Sequence, residues 1–392
     1  MSVPESFYRE TIDLNRFSNK VAREIITNYN NVILDLTNQL ATIDEVTAPA
    51  TVARIRAMLA GMKESLETWS GTSTAVMIEQ INSLALFQTE FIAGELKKVL
   101  PSGSIPINVV TVSPDFARSV VMTDPTQINI LNLPNQLEGA VQTRFSLTAV
   151  KGSEITLPSG VIVQKAFRGI ADSQADLISS QVRIGITEGE AMSKIAKRLR
   201  GRLQFGANQE MTAKAQRLAG GTGTKLANNQ VMAIVRTTVN QVQNAASQAV
   251  YQANRDVTSK YQYVAILDSK TSIICASLDG QIFEYNKGPL PPQHFNCRSS
   301  TVPVLDDDDI EKRFPDTRPS ATGRVPQDKN YGTWLKENPS IQTKTLGNKK
   351  KFFNYLIDKK NKSPREALRL IIRDDGTELS LKDLVKKYPK AI

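Results

Sequence analysis

Hydrophobic residues along the first hundred positions recur mostly at three- and four-residue steps, the spacing that places side chains on one face of an α-helix. The run Ile12–Leu40 carries this pattern and predicts one long amphipathic helix. A second helix is predicted over Pro49–Leu66, because proline is favoured in a first helical turn, and a third over about Thr74–Leu100. The pattern therefore predicts a helical N-terminal region over residues 1–100.

Residues 101–165 have a different character, because six prolines interrupt short β-branched runs. This composition predicts loops with a few edge strands, an arm rather than a packed layer. Helical spacing returns over Phe167–Val257. Within it, Gly220–Gly223 lacks both a preceding strand and the Gly-Lys-Ser/Thr ending of a phosphate-binding loop, so we interpret it as a hinge or turn.

The pattern changes again over residues 258–305, where strand and turn signals dominate. The runs Tyr261–Leu267 and Gly280–Tyr285 predict two strands, and the pair Asp279-Gly280 is typical of a tight turn. The sequence therefore predicts an α+β fold. We expect a mainly helical body with a small strand-and-turn-rich Cys/His module and a short basic helical tail.

The net charge of +10 comes from the C-terminal part of the chain. Residues 311–392 contain 20 Lys and Arg against 10 Asp and Glu, whereas residues 1–310 contain 29 of each. An acidic linker is predicted to begin at residue 306, and basic helices are predicted at about Lys349–Lys360 and Ser363–Arg373. A localised basic segment commonly meets polyphosphate or an acidic protein surface, and a solvated lysine-rich exterior is the alternative. The candidate DNA contacts are Lys349, Lys350, Lys351, Lys359, Lys360 and Lys362.

All of the chain's cysteine and histidine chemistry is confined to 23 residues. The two cysteines are Cys275 and Cys297, and the one histidine is His294. Thiol–imidazole pairs and Ser-His-Asp triads are therefore excluded everywhere else in the chain. The spacing Cys-x18-His-x2-Cys predicts a small metal clip with these three residues as candidate ligands, and zinc is the candidate ion.

The ligand set is incomplete for a structural zinc ion, which takes four ligands. Ser272 stands three residues before Cys275, where a Cys-x2-Cys knuckle would place the fourth. An oxygen of Asp268, Asp279 or water is the other candidate for that position. The alternative interpretation is a packed cluster of two reduced thiols and a hydrogen-bonded histidine that pins a hairpin. Two cysteines in 392 residues do not indicate a disulfide framework.

Residues 258–304 resemble the C-terminal signature of the phage Mu F-like minor head proteins, also called the phage head-morphogenesis family. That signature joins an Asp-x2-Thr element and cysteine to an Asp-Gly turn, then Gly-Pro-Leu-Pro-Pro and His-x2-Cys-Arg. Here the elements are Asp268 to Thr271, Cys275, Asp279-Gly280, Gly288 to Pro292, and His294 to Arg298. Upstream, Arg236-Thr237 followed by Asn244, Ala245 and Tyr251 is similar to the family's Arg-Thr helix.

Two positions depart from the family's pattern, and both bear on function. Ser272 stands where many relatives have a cysteine, which weakens the metal inference, and Thr238 stands where relatives often have glutamate. The resemblance covers about residues 170–305 and predicts a head-morphogenesis domain over 166–305, followed by an acidic linker and basic tail over 306–392.

The resemblance implies a structural protein, not an enzyme. It implies a low-copy virion component of a tailed phage, near the portal, acting in head assembly or genome packaging and delivery. The implied partners are the portal protein, the major capsid or scaffolding protein, and packaged double-stranded DNA through the basic tail. The implied location is the capsid interior or portal vicinity, with host cytoplasm during assembly. The sequence contains no run of eighteen apolar residues, so no membrane-spanning segment is predicted. The alternative function is a metal-dependent hydrolase or nuclease built on Cys275, His294 and Cys297.

Overall fold

The computed structural model describes most of the helical and strand-forming parts of the chain. The described residues are 5–43, 49–99, 107, 163–200, 223–285, 287–305, 317–373 and 377–391. The predicted arm over 101–165 lies outside them except at 107 and 163–165. The predicted acidic linker at 306–309 and the glycine turn before residue 223 also lie outside the described residues.

Two long helices form the N-terminal region. Helix α1 is Glu5–Ala41, as the spacing predicted, and helix α2 is Pro49–Val99. The prediction of two separate helices between residues 49 and 100 is wrong, because α2 continues through Gly71. A helical glycine costs only about 1 kcal/mol relative to alanine. Trp69 and Met77, on either side of Gly71, are both buried, so packing outweighs that cost.

The described residues fall into two compact units by their contacts. The first unit contains the described parts of residues 1–17, 81–160 and 236–392, and the second contains those of 18–80 and 161–235. Helices α1, α2 and α5 (Gly223–Ala253) each contribute residues to both units.

The second unit is helical in its described part. Helices α3 (Val163–Thr187) and α4 (Met192–Arg200) follow one another in it. The Tyr29 hydroxyl donates to Gln174 Oε1 over 2.8 Å, and the Tyr29 ring meets Trp69 edge to face at 5.1 Å. An aromatic contact and a satisfied hydroxyl thus fix α1, α2 and α3 against one another in this unit.

A three-stranded antiparallel sheet lies in the first unit, with strand order β2-β1-β3. The strands are β1 (Thr258–Val264), β2 (Ile282–Glu284) and β3 (Ser300–Leu305), and the short helix α6 (Ile273–Leu278) lies between β1 and β2. The two predicted strands are confirmed within three residues of their predicted bounds. Gly280 has a φ of +74°, the left-handed conformation that the Asp-Gly turn requires.

The basic C-terminal segment folds into a hairpin and five short helices in its described part. The hairpin is β4 (Thr317–Ser320) and β5 (Gly323–Pro326). The helices are α7 (Tyr331–Glu337), α8 (Pro339–Leu346), α9 (Lys350–Asp358), α10 (Pro364–Arg369) and α11 (Leu381–Lys387). We name this hairpin and these helices the C-terminal layer.

The C-terminal layer has a hydrophobic core that continues into the Cys/His module. Trp334, Phe353 and Leu368 are buried together with Leu267 and Ile273. The segment is therefore not an extended tail. The two predicted basic helices correspond to α9 and α10, whereas α7 was missed because the surrounding prolines and glycines favoured a loop. Phe352 and Phe353 on α9 face this core.

Candidate metal centre

The three candidate ligands come together from two segments. Cys275 lies in the first turn of α6, and His294 and Cys297 lie on the proline-rich connection between β2 and β3. Their ligand atoms all lie within 4.8 Å of one another. The structure therefore brings together the three candidate ligands that the sequence spacing indicates.

The spacing of the ligand atoms fits part of a tetrahedral site. The two Sγ atoms are 3.7 Å apart, and Cys275 Sγ is 3.2 Å from His294 Nε2. Two thiolates bound to one tetrahedral zinc at 2.3 Å are separated by about 3.8 Å. The sulfur pair thus has the separation of zinc ligands, while the short sulfur–nitrogen distance is that of a direct hydrogen bond.

The orientation of His294 is fixed by its other ring nitrogen. Nδ1 is 2.7 Å from the carbonyl oxygen of Phe295, which can only accept, so Nδ1 carries the proton and donates. Nε2 therefore points into the cluster with a free lone pair when the ring is neutral. A backbone carbonyl on the far nitrogen is the usual support of a metal-binding histidine.

Ser272 lies beside His294 and Cys275 in the cluster. Its Oγ is 2.7 Å from His294 Nε2, and it accepts the backbone N–H of Cys275 over 3.2 Å as the N-cap of α6. A serine N-cap is favoured because it satisfies an otherwise unpaired helical N–H. The side chain that replaces the relatives' cysteine thus has a structural role of its own.

The protonation of the cluster is set by its members. The hydrogen bond from Cys297, followed by those of His294 and Ser272, holds the pKa of Cys275 well below its ordinary value. Burial raises the pKa of Cys297 well above its ordinary value. Burial also opposes the charging of His294, but its hydrogen bond with Cys275 raises its pKa overall. These pKa shifts favour the ionised forms of Cys275 and His294 and the neutral thiol of Cys297.

Neither carboxylate considered as a fourth ligand from sequence is available. Both oxygens of Asp268 accept from Arg298 at 2.7 Å. Both oxygens of Asp279 accept from Arg318 at 3.0 Å. Among the described residues, the group that could hold an ion contains only the two cysteines and His294. A fourth ligand would therefore have to be the Ser272 hydroxyl or water.

Asp279 links the Asp-Gly turn to the C-terminal layer. Its carboxylate accepts the backbone N–H groups of Ala265 and Tyr331, each over 2.7 Å, in addition to Arg318. Arg318 Nη2 also donates to the Ala265 carbonyl over 2.7 Å. The guanidinium lies 4.9 Å from the centre of the Tyr8 ring. The Asp279–Arg318 pair was not predicted from sequence. Because Asp279 is buried, its carboxylate needs a cationic partner, and that partner is Arg318.

Helix α5 holds the connection that carries His294 and Cys297. Asn240 Nδ2 donates to the Ser299 carbonyl over 2.6 Å, and Asn244 Oδ1 accepts the Thr301 N–H over 3.1 Å. Thr237 Oγ1 accepts the Asn296 N–H over 3.1 Å. Because β3 is an edge strand, Asn244 pairs the Thr301 N–H, which would otherwise be left without a partner. The other two contacts hold the connection that precedes β3.

With this geometry established, comparison with known proteins identifies the module. Residues 176–302 match the family model described as Phage Mu protein F like protein. This part of the chain is similar to the phage Mu F-like proteins. The Mu F-like segment contains all three candidate ligands, the whole of α5 and the Asp268–Arg298 pair. It supports a role in phage head morphogenesis. Comparisons with curated proteins and with solved structures gave no match.

The candidate DNA contacts lie outside the Mu F-like segment and are not equivalent. Lys349 forms an ion pair with Glu378 at 2.5 Å, and Lys350 donates to Thr343 Oγ1 over 3.1 Å. The other four are exposed, and we name them the exposed lysine group: Lys351, Lys359, Lys360 and Lys362. None of the described helices is long and apolar enough to cross a membrane.

Proposed function

We propose that this protein is a minor capsid component of a tailed phage, present in few copies near the portal and acting in head assembly or genome packaging and delivery. The observation that carries the proposal is the Mu F-like match over residues 176–302. Its proposed partners are the portal protein and the major capsid or scaffolding protein.

The contacts made by the signature residues support a structural rather than a catalytic role. Asp268 and Asp279 are each clamped by an arginine, and Asn244 pairs with a strand. These groups hold the module's own segments together. A catalytic site would instead direct such groups towards a cleft where substrate can bind.

A hydrolase or nuclease built on the cluster fits the geometry less well. Both cysteines are buried, and the candidate carboxylates Asp268 and Asp279 are already engaged by arginines. A metal-activated water generally needs a general base and an accessible cleft beside it. We therefore propose no enzymatic activity for the module.

We further propose that Cys275, His294 and Cys297 hold a structural zinc ion, with Ser272 or water as the fourth ligand. The ion would cross-link α6 to the β2–β3 connection, and site formation would then stabilise the module. Metal analysis of protein purified without chelator should give close to one zinc per chain. The variant Cys297→Ser should lose it. A ratio far below one would leave the three residues as a packed thiol–imidazole cluster.

We propose that the exposed lysine group contacts the phosphates of packaged DNA, and that this binding does not depend on the DNA sequence. Each neutralised phosphate releases counterions, so such binding weakens steeply as salt increases. The side chains of Phe352 and Phe353 face the core and are not offered to bases.

Complementation in an infected host tests the proposed function. Phage that lack the gene should accumulate defective or empty heads by electron microscopy, and the wild-type gene supplied in trans should restore filled heads. The variant Lys344→Glu, an exposed change outside the exposed lysine group, should complement as well as wild type. Normal yields of infectious particles without the gene would overturn the proposal.

A further inference from the structure

A cleft of about 340 Å³ lies between the first turns of α1 and the last part of α2. Its walls are mainly apolar, with two carboxylates on the α1 side. The residues that matter are Glu10, Asp13, Leu14, Phe17, Leu84 and Phe87. The α1 positions follow the i, i+3, i+4, i+7 spacing of one helical face, which is the arrangement that receives another helix.

The cleft exposes groups that a folded protein normally covers or pairs. Phe87 is 52% exposed, although it stacks on Phe91 with ring centres 6.1 Å apart, and the neighbouring Leu86 is 46% exposed. Glu10 has no ion pair within the described part of the chain. Burial, with a smaller contribution from Asp13, raises the pKa of Glu10 to about 7. An apolar floor beside an unpaired, half-buried carboxylate fits a cationic amphipathic partner.

Helix α11 has the complementary surface. Leu381 and Val385 are 40% and 39% exposed and lie four residues apart, on one side of the helix. Lys382 and Lys386 are the next residues after Leu381 and Val385, and both are exposed. Neither lysine has an ion pair among the described residues. The helix itself is fixed, because Leu384 is buried in the core of the C-terminal layer.

We propose that α11 of one copy of this chain docks into the α1–α2 cleft of a second copy. The pair Leu381 and Val385 would cover the exposed face around Phe87, and Lys386 would neutralise Glu10. Because the two surfaces are different parts of the molecule, the contact is head to tail. Such contacts build a ring when the rotation between copies closes, and a chain of copies when it does not.

Sedimentation velocity of the full-length protein over a range of concentrations tests this proposal. Wild type should self-associate, and Glu10→Lys and Lys386→Glu should each weaken association by roughly tenfold or more, because an attraction is replaced by a like-charge repulsion. The double variant should regain most of the affinity. An equimolar mixture of the two single variants should also associate, since one kind of contact in it is native and the other has both charges reversed.

Matched controls separate this contact from a general effect of charge. Glu24→Lys on α1 and Lys344→Glu on α8 reverse exposed charges outside the two surfaces and should leave association unchanged. Phe87→Ser and Val385→Ser, both at exposed positions, should weaken association without any change of charge. Circular dichroism should show that every variant is folded.

One outcome of these measurements supports the docking proposal, and two contradict it. Concentration-dependent association that the single variants abolish and the double variant restores supports docking of a second copy. A wild-type monomer at every concentration overturns it and leaves a basic helix of another protein as the occupant. Association that no cleft or α11 variant alters also overturns it.

Discussion

Replacing Arg318 with leucine should destabilise the first unit strongly, because it leaves the Asp279 carboxylate buried without a cation. Arg318 and Asp279 are both buried, and the two groups share two hydrogen bonds of 3.0 Å. Removing one partner of such a pair typically costs about 3 to 5 kcal/mol. Asp279 would keep its two backbone donors, so we expect about 3 kcal/mol.

That loss is large against the roughly 5 to 15 kcal/mol that stabilises a typical domain. The loss should be confined to the unit that contains the pair. Arg324→Leu is a suitable control, because Arg324 is half exposed and pairs with Glu5 at the surface. An exposed pair contributes about 1 kcal/mol or less.

Urea unfolding followed by tryptophan fluorescence measures both variants. The chain has two tryptophans, Trp69 and Trp334, and Trp334 lies in the core of the C-terminal layer. In a Trp69→Phe background, Trp334 therefore reports the unfolding of that layer alone. Free energies of unfolding for Arg318→Leu and Arg324→Leu that agree within about 0.5 kcal/mol would refute the role assigned to the buried pair.

Three further predictions concern Glu10, Asn244 and the exposed lysine group. First, the pKa of Glu10 is raised to about 7 from an ordinary 4.5. Ionisation therefore opposes folding, and stability falls as pH rises between these values. Glu10→Gln should stabilise the protein by about 1 to 3 kcal/mol at pH 8 and hardly at pH 4, measured by urea unfolding at both pH values. An equal effect at both would contradict the burial assigned to Glu10. Second, Asn244→Ala should cost about 1 to 3 kcal/mol in the same assay, because it leaves the buried Thr301 N–H unpaired, whereas the exposed Asn348→Ala should cost little. Equal losses would remove α5 as the support of β3. Third, changing the four residues of the exposed lysine group to glutamine should reduce the slope of log affinity for DNA against log salt by about 3.6, measured by fluorescence anisotropy. An unchanged slope would place DNA contacts elsewhere or remove them.

The helices and the cluster were predictable from sequence because their signals are local. Helix α1 and the two strands around Asp279-Gly280 follow from hydrophobic spacing and turn residues. The cluster followed from three rare side chains and a proline-rich run that restricts the backbone between β2 and β3. The family resemblance added the expected function, which spacing alone does not contain.

The features that sequence did not predict depend on contacts between distant residues. Arg318 lies 39 residues from Asp279, and no pattern marks them as partners. The core of the C-terminal layer was not predicted, because short helices with many lysines and intervening prolines give only a weak periodic spacing of hydrophobic residues. The sequence predicts two helices in place of the single helix α2 because Gly71 lowers the local helix propensity. In the structure, burial of residues on both sides of Gly71 compensates for that loss.

Quantitative mass spectrometry of purified virions tests the central claim most directly. If the protein is a minor head component, its peptides should be present in mature particles at a small, reproducible ratio to the portal protein. The ratio should stay constant through density-gradient purification. Absence of the protein from particles that contain the portal protein, or an amount comparable with the major capsid protein, would contradict the account.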